Sequence, residues 1–127
     1  MKKSPSLVPP KGTHIILDLY ECSNRSLLDS PEKIEEILKE SVKEANATLI
    51  DIKLHKFSPV GVSGFALISE SHISIHTWPE AGYAGVDIYT CGTKTLPDKA
   101  ADLLIKKFKS QKPSIIKIER GAYAEKF

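Results

Sequence analysis

Cysteine is scarce in this chain, which holds only Cys22 and Cys91. Two thiols without an evident export signal point to a reducing compartment rather than to a disulfide framework. Long apolar runs are missing as well, since nothing approaches the ~20 residues that a membrane-spanning helix needs. The N-terminal "MKKSPSLVPPKG" begins with two lysines, but prolines interrupt it and no apolar h-region follows. It reads as a flexible lead-in and not as a signal peptide. An excess of one charge is also lacking. The net charge is +2, and the one basic cluster, "KKFKSQK" from Lys106 to Lys112, reads as the solvated end of a helix. No electrostatic case remains for nucleic acid or for a membrane surface. The expectation is a cytoplasmic protein that engages neither.

What is present suits one domain spanning residues 1–127, large enough for a single core. "THIILDLY" (Thr13 to Tyr20) is β-rich and reads as a first strand. "LLDSPEKIEEILKESVKEANA" reads as helical, with Ser30 as N-cap and Pro31 at the first helical position. Ile34, Ile37, Leu38, Val42 and Ala45 recur there at helical spacing and make one apolar face. In "TLIDIKLHKF", Ile50, Ile52 and Leu54 alternate with Asp51, Lys53 and His55, the pattern of a half-buried strand. "SPVGVSG" is turn chemistry. "FALIS", "HISIHTW" and "AGVDIYT" give three more strands at short intervals. "LPDKAADLLIKKFKS" is a second helix with Ala100, Leu103, Leu104 and Phe108 inward, and "SIIKIE" is a last strand. The order β-α-β-β-β-β-α-β predicts an α+β fold, a two-layer α/β sandwich with a mainly antiparallel sheet. Two amphipathic helices can cover one face of it, leaving the other to a second subunit.

The run "ISESHISIHTWPE" is unusually polar for a strand, and its polar residues are serine, histidine and acid. Those types carry acyl-transfer and proton-transfer chemistry. His72 and His76, flanked by Glu70 and Glu80, first suggest a metal site. In a helix their spacing would put two ligands on one face. Here Ile73, Ile75 and Thr77 alternate with the polar positions, so the run is a strand and four residues span about 13 Å. Two imidazoles must each approach an ion to ~2.0–2.1 Å, so the metal reading is set aside. The plain alternative is that both histidines merely decorate a sheet face.

Taken together, "GVSG", "ISESH", "IHTWPE" and "TCG" resemble the prokaryotic S-adenosylmethionine decarboxylases, pyruvoyl-dependent enzymes of polyamine synthesis. The likeness runs from "LDLYEC" to "ERGAY". It implies that the chain cleaves itself between Glu70 and Ser71, giving pieces 1–70 and 71–127. The Ser71 hydroxyl would attack the Glu70 carbonyl and exchange an amide for an ester, which requires a near-attack geometry and a stabilised oxyanion. Loss of the Ser71 α-proton would then expel the Glu70 carboxylate, and hydrolysis would leave a pyruvoyl group at the new N-terminus. By resemblance His76 takes that proton, a role that suits a neutral imidazole, and Ser63 assists by hydrogen bonding. The pyruvoyl ketone would form a Schiff base with S-adenosylmethionine and accept the electron pair left by departing carbon dioxide, with no external cofactor. Cys91 would return a proton to Cα, an acid role that suits a thiol near neutral pH.

The resemblance also carries Phe57 over as the aromatic that stacks on adenine, with a cation–π contribution of ~0.5–2 kcal/mol toward the sulfonium. Glu80 carries over as the acceptor for the ribose hydroxyls. Without the resemblance, Phe57 is an ordinary residue at a strand end. Trp78 and Tyr83 read as packing, His72 as structural, and Cys22 has no chemical role. Relatives sharing "ESH" and "TCG" decarboxylate arginine or ornithine, which is the alternative substrate reading. A non-catalytic dimeric regulatory domain is the alternative of another class. The family further implies a homodimer with sites between protomers. Ser71 and His76 would lie ~16 Å apart on opposite faces of a straight strand. A bend near Glu70–Ser71 that brings the serine back over His76 is therefore expected.

Overall fold

Residues 11–69 and 71–122 are described by the computed structural model. The N-terminal lead-in up to residue 10, and Glu70, lie outside them. Strand β1 (Gly12–Cys22) opens the fold, followed by a single-turn helix α1 (Arg25–Leu28) and the longer α2 (Pro31–Glu44). Strands β2 (Leu49–Lys56), β3 (Val62–Ile68), β4 (Ser71–Trp78) and β5 (Tyr83–Cys91) come next. Helix α3 (Pro97–Lys107) and strand β6 (Ser110–Arg120) complete it. The six strands form one antiparallel sheet in the order β2-β3-β4-β5-β1-β6.

Local chemistry accounts for most of these boundaries. Ser30 caps α2, its Oγ accepting from the Lys33 N–H at 3.3 Å, and Pro31 starts the helix with its fixed φ and absent donor. The stretch before it does not continue the same helix. Asn24 caps the separate turn α1, and Asp29 closes it. Strand β6 tolerates Pro113 because it is an edge strand, where a missing N–H leaves no gap inside the sheet.

Strand alternation divides the molecule into two faces. Ile15, Leu17 and Leu19 of β1, Ile73 and Ile75 of β4, and Ala84, Val86 and Ile88 of β5 are buried under the helices. Ile34, Ile37, Leu38 and Val42 of α2 meet them, with Ala100, Ala101, Leu104 and Phe108 from α3 and its end. Each fully buried large side chain contributes roughly 1.5–3 kcal/mol. Both helices lie on this one side of the sheet. The opposite side stays open, and it carries His14, Ser63, Phe65, His72, His76 and Tyr89 by strand parity.

Three expectations need correction. Ile50 points outward at 61% exposure, because the pairing of β2 with β3 shifts between Leu49 and Asp51. That bulge turns Leu49 inward in its place, alongside Ile52 and Leu54. Leu103 is only half-buried, and Ala101 fills the inward position beside Leu104. "GVSG" is not wholly turn, since Val62, Ser63 and Gly64 already belong to β3. A side chain at Gly64 would meet Leu54 and the Lys53 carbonyl at about 2.8 Å, so the strand needs glycine there to approach β2.

Candidate active site

Ser71 heads β4 and pairs with Ile68 across the tip of the β3–β4 hairpin. Its side chain is 7% exposed, and its Oγ accepts the backbone N–H of Cys91 at 3.1 Å. The last residue of β5 is thereby tied to the first residue of β4. The Cys91 carbonyl in turn accepts from Thr95 Oγ1 at 3.3 Å. Glu70, the residue before Ser71, lies outside the described residues.

Around Cys91 the open face is crowded with rings. Tyr89 stands two residues earlier on β5 and shares the Cys91 side of the strand. The guanidinium of Arg120 sits 5.0 Å from its ring centre. His14 meets the ring edge-on at 5.9 Å and His72 lies at 5.8 Å. His14 is held in turn by Asp87 at 3.0 Å. The Cys91 thiol, followed by burial, pushes the Tyr89 phenol above its usual range, while Arg120 pulls the other way.

Ser63 and His76 belong to the other end of the open face. The unbroken register of β3 on β4 sets them directly opposite each other, and Ser63 Oγ lies 2.7 Å from His76 Nδ1. They line a shallow depression of about 320 Å³ with Lys53, His55, Phe65 and Ser74. Phe57 follows β2 at this same end, 46% exposed, with its ring 4.6 Å from that of His55. Its loop is anchored at Gly61, whose N–H donates to Asp29 Oδ1 at 2.8 Å, while Lys56 pairs with the same carboxylate at 3.1 Å. The Gly61 N–H and Lys56 hold the Asp29 carboxyl below the usual range against a smaller effect of burial. Glu80 is exposed in the turn after β4, and Arg25 donates to its backbone carbonyl at 2.7 Å.

The structure thus brings Ser71 together with Cys91, and Ser63 together with His76, but keeps the two pairs apart. The bend expected near Glu70–Ser71 falls partly outside the described residues, and from Ser71 onward no bend brings the serine back over His76. β4 runs from Ser71 to Trp78 with continuous pairing to both neighbours, and Ser71 faces the helices while His76 faces out. Five residues of strand separate them by ~16 Å, far beyond proton transfer at ~3 Å. His72 and His76 share the open face, but His72 leans on Tyr89 and His76 on Ser63.

Trp78 and Tyr83 do pack on each other, stacked at 5.3 Å, yet Trp78 remains 44% exposed on the open face. Tyr20 extends the stack at 5.2 Å. Tyr83 donates to Asp18 at 2.5 Å, and that bond first, then burial, pushes its phenol up to about 12. Cys22 is a core thiol at 2% exposure, raised by burial and donating to the Leu19 carbonyl. Two residues of consequence escape a reading by motif. Thr77 is buried and holds three backbone groups, donating to Leu28 O and Val62 O and accepting from Val62 N. Tyr89 was signalled only by its two-residue spacing from Cys91 along a strand.

A family model described as S-adenosylmethionine decarboxylase matches residues 13–121. A Methanococcus maripaludis protein (strain C7) named S-adenosylmethionine decarboxylase proenzyme is 51% identical over 110 residues, covering 87% of this chain and 89% of that one. A Thermosipho melanesiensis protein of the same name is 49% identical over 114 residues, covering 90% and 87%. Among solved structures, the adenosylmethionine decarboxylase of Aquifex aeolicus superposes with a TM-score of 0.79 at 41% identity, covering 87% of this chain and 90% of that one.

Proposed function

Since this chain belongs to the S-adenosylmethionine decarboxylase family, we propose that it decarboxylates S-adenosylmethionine through a pyruvoyl group made from its own Ser71. It would act as a cytoplasmic homodimer that supplies aminopropyl groups for spermidine synthesis. The observation that carries this reading is the Cys91 N–H donated to Ser71 Oγ at 3.1 Å, which fixes a buried hydroxyl beside the candidate acid. A main-chain donor at that point suits a serine held for attack on the preceding carbonyl. The same donor suits a keto oxygen afterwards, so the residues present fit the group. A pyruvoyl ketone there supplies a sink for the electron pair that departing carbon dioxide leaves behind.

The remaining steps fall to the chain's own side chains. Ser71 Oγ attacks the Glu70 carbonyl, and the peptide nitrogen leaves as the ester forms. His76 then removes the Ser71 α-proton as the Glu70 carboxylate departs, and water hydrolyses the resulting dehydroalanine, releasing its nitrogen as ammonia. In the tautomer whose Nδ1–H donates to Ser63 Oγ, one of the two that the 2.7 Å contact allows, His76 keeps the lone pair of Nε2 free for that proton. A single chain holds these groups ~16 Å apart, so the base is His76 of a second copy. A two-fold axis laying two open faces together sets each Ser71 end over the Ser63–His76 end of the other copy. In support, the open face exposes apolar bulk, with Phe65 at 41%, Ile118 at 42% and Ile116 at 56%. Phe57 and Glu80 travel with the His76 end, where they would take adenine and ribose. Cys91 protonates the substrate's α-carbon after carbon dioxide leaves.

Intact mass of the purified protein tests the reading. The 14.0 kDa chain should give pieces of roughly 8 and 6 kDa, in proportion to the residues on each side of Glu70–Ser71. Carbon dioxide should be released from labelled S-adenosylmethionine and not from arginine or ornithine assayed in parallel. A whole chain that releases none from any substrate would overturn the reading.

A further inference from the structure

We propose that Tyr89 is a positioning residue for Cys91, its hydroxyl donating to Sγ and holding the sulfur toward the substrate's α-carbon. This rests on the reading of Cys91 as the proton donor. On β5 the two residues share one face two positions apart, which sets their side chains next to each other along that face, about 7 Å apart at Cα. The Tyr89 ring is fixed from several elements. Arg120 of β6 lies 5.0 Å from it, His14 of β1 5.9 Å and His72 of β4 5.8 Å.

Gly12 supplies the space. It pairs directly with Cys91 across the β1–β5 ladder, and a Cβ there would fall 2.7 Å from Tyr89 Cε1 and 3.0 Å from its hydroxyl oxygen. The phenol thus lies flat over a bare stretch of β1, with its oxygen carried back toward the Cys91 end. The thiol beside it is the first cause of the raised Tyr89 phenol, so the tyrosine holds its proton next to the sulfur.

The proton balance is simple. The Cys91 S–H bond breaks as the proton moves to the α-carbon, and the thiolate left behind accepts the Tyr89 O–H until water returns a proton to sulfur. A hydrogen bond to a charged group strengthens as that charge develops. Its loss should therefore appear in turnover rather than in substrate affinity.

The test compares Tyr89→Phe, Gly12→Ala and Cys91→Ala in the full chain. Tyr89→Phe keeps the ring and its neighbours while removing one oxygen. It should mature normally, lose roughly ten- to hundredfold in kcat with KM unchanged, and accumulate 71–127 chains that begin with alanine. Its Cys91 should also alkylate more slowly with iodoacetamide near neutral pH, with buried Cys22 as the internal reference. Gly12→Ala should reproduce these effects by pushing the ring aside, and combining it with Tyr89→Phe should add little. If Cys91→Ala is impaired while Tyr89→Phe and Gly12→Ala keep normal turnover and alkylation, the positioning role is wrong and the donor assignment stands. If Cys91→Ala turns over normally, the donor assignment fails. The alkylation rates alone then decide whether Tyr89 touches the sulfur.

Discussion

The two ends of the open face are built by different means. At the Ser71 end the key hydroxyl is nearly buried and its partner is a main-chain N–H, so its position follows from the sheet itself. At the Ser63 end two side chains hold each other across a strand pair, beside an open depression. Among the described residues, the first arrangement sets no imidazole against its hydroxyl, and the second sets the proposed base beside no reacting group of its own chain. On the proposed reading, rigid backbone would place the group to be transformed, while the side chains that would transform it face outward.

The sharpest way to break this division is to disable one end in each of two chains. Ser71→Ala alone should stay uncleaved, and His76→Ala alone should stall at an ester that hydroxylamine splits. Co-expressed, the two variants should recover about a quarter of wild-type turnover if protomers mix at random, because half the dimers would carry one whole site. No recovery, with dimers present, would place both ends of each site in a single chain.

Next in size, Cys91→Ala should still mature but lose ~10²–10⁴-fold in turnover, the usual contribution of a positioned general acid. Chains with alanine at the new N-terminus should build up as protonation goes astray. Maturation failing together with turnover would tie the thiol to processing and blur the separation of roles.

A smaller effect concerns what holds the His76 end in place. Thr77→Val should destabilise the fold by about 1–3 kcal/mol, since Leu28 O and Val62 N lose their shared hydroxyl. Urea unfolding measures this, and an unchanged midpoint would remove Thr77 from the scaffold. The smallest effect belongs to Asp29, whose carboxyl titrates lower in the folded protein than in the unfolded chain. The stability it adds is present above the unfolded value of about 3.9 and is lost as pH falls through the lower folded one. The Phe57–Gly61 loop should therefore become more protease-sensitive in acid, and Asp29→Asn should show the looser loop at neutral pH already.

Much of this could be read without coordinates, for physical reasons. The helix starting at Pro31 carries its cap and its apolar face in neighbouring residues, and β4 and β5 announce themselves by alternation. Ser71 and Cys91 sit in motifs long enough to identify. Leu103 apart, the missed parts depend on which strand residue faces which. Ser63 meets His76 only because β3 and β4 pair without a shift, whereas Ile50 turns outward because β2 and β3 pair with one. Register is set by distant partners and leaves little local trace. The bend expected at Ser71 misled for a related reason. It asked one chain to close a gap that, in the proposed dimer, a second copy of the same surface would close.

The strand order has a further consequence for a chain cut before Ser71. The N-terminal piece would own β1, β2 and β3, and the C-terminal piece β4, β5 and β6. Yet β1 is seated between β5 and β6, so the two fragments interlace instead of lying side by side. Pulling them apart means undoing three ladders at once, β3–β4, β5–β1 and β1–β6. The halves should therefore travel together through any native separation. Recovery after denaturation is another matter. The precursor can regain its sheet as one molecule, whereas two severed pieces must first collide, which makes renaturation second order in concentration. A matured protein of this design endures by unfolding slowly rather than by refolding readily.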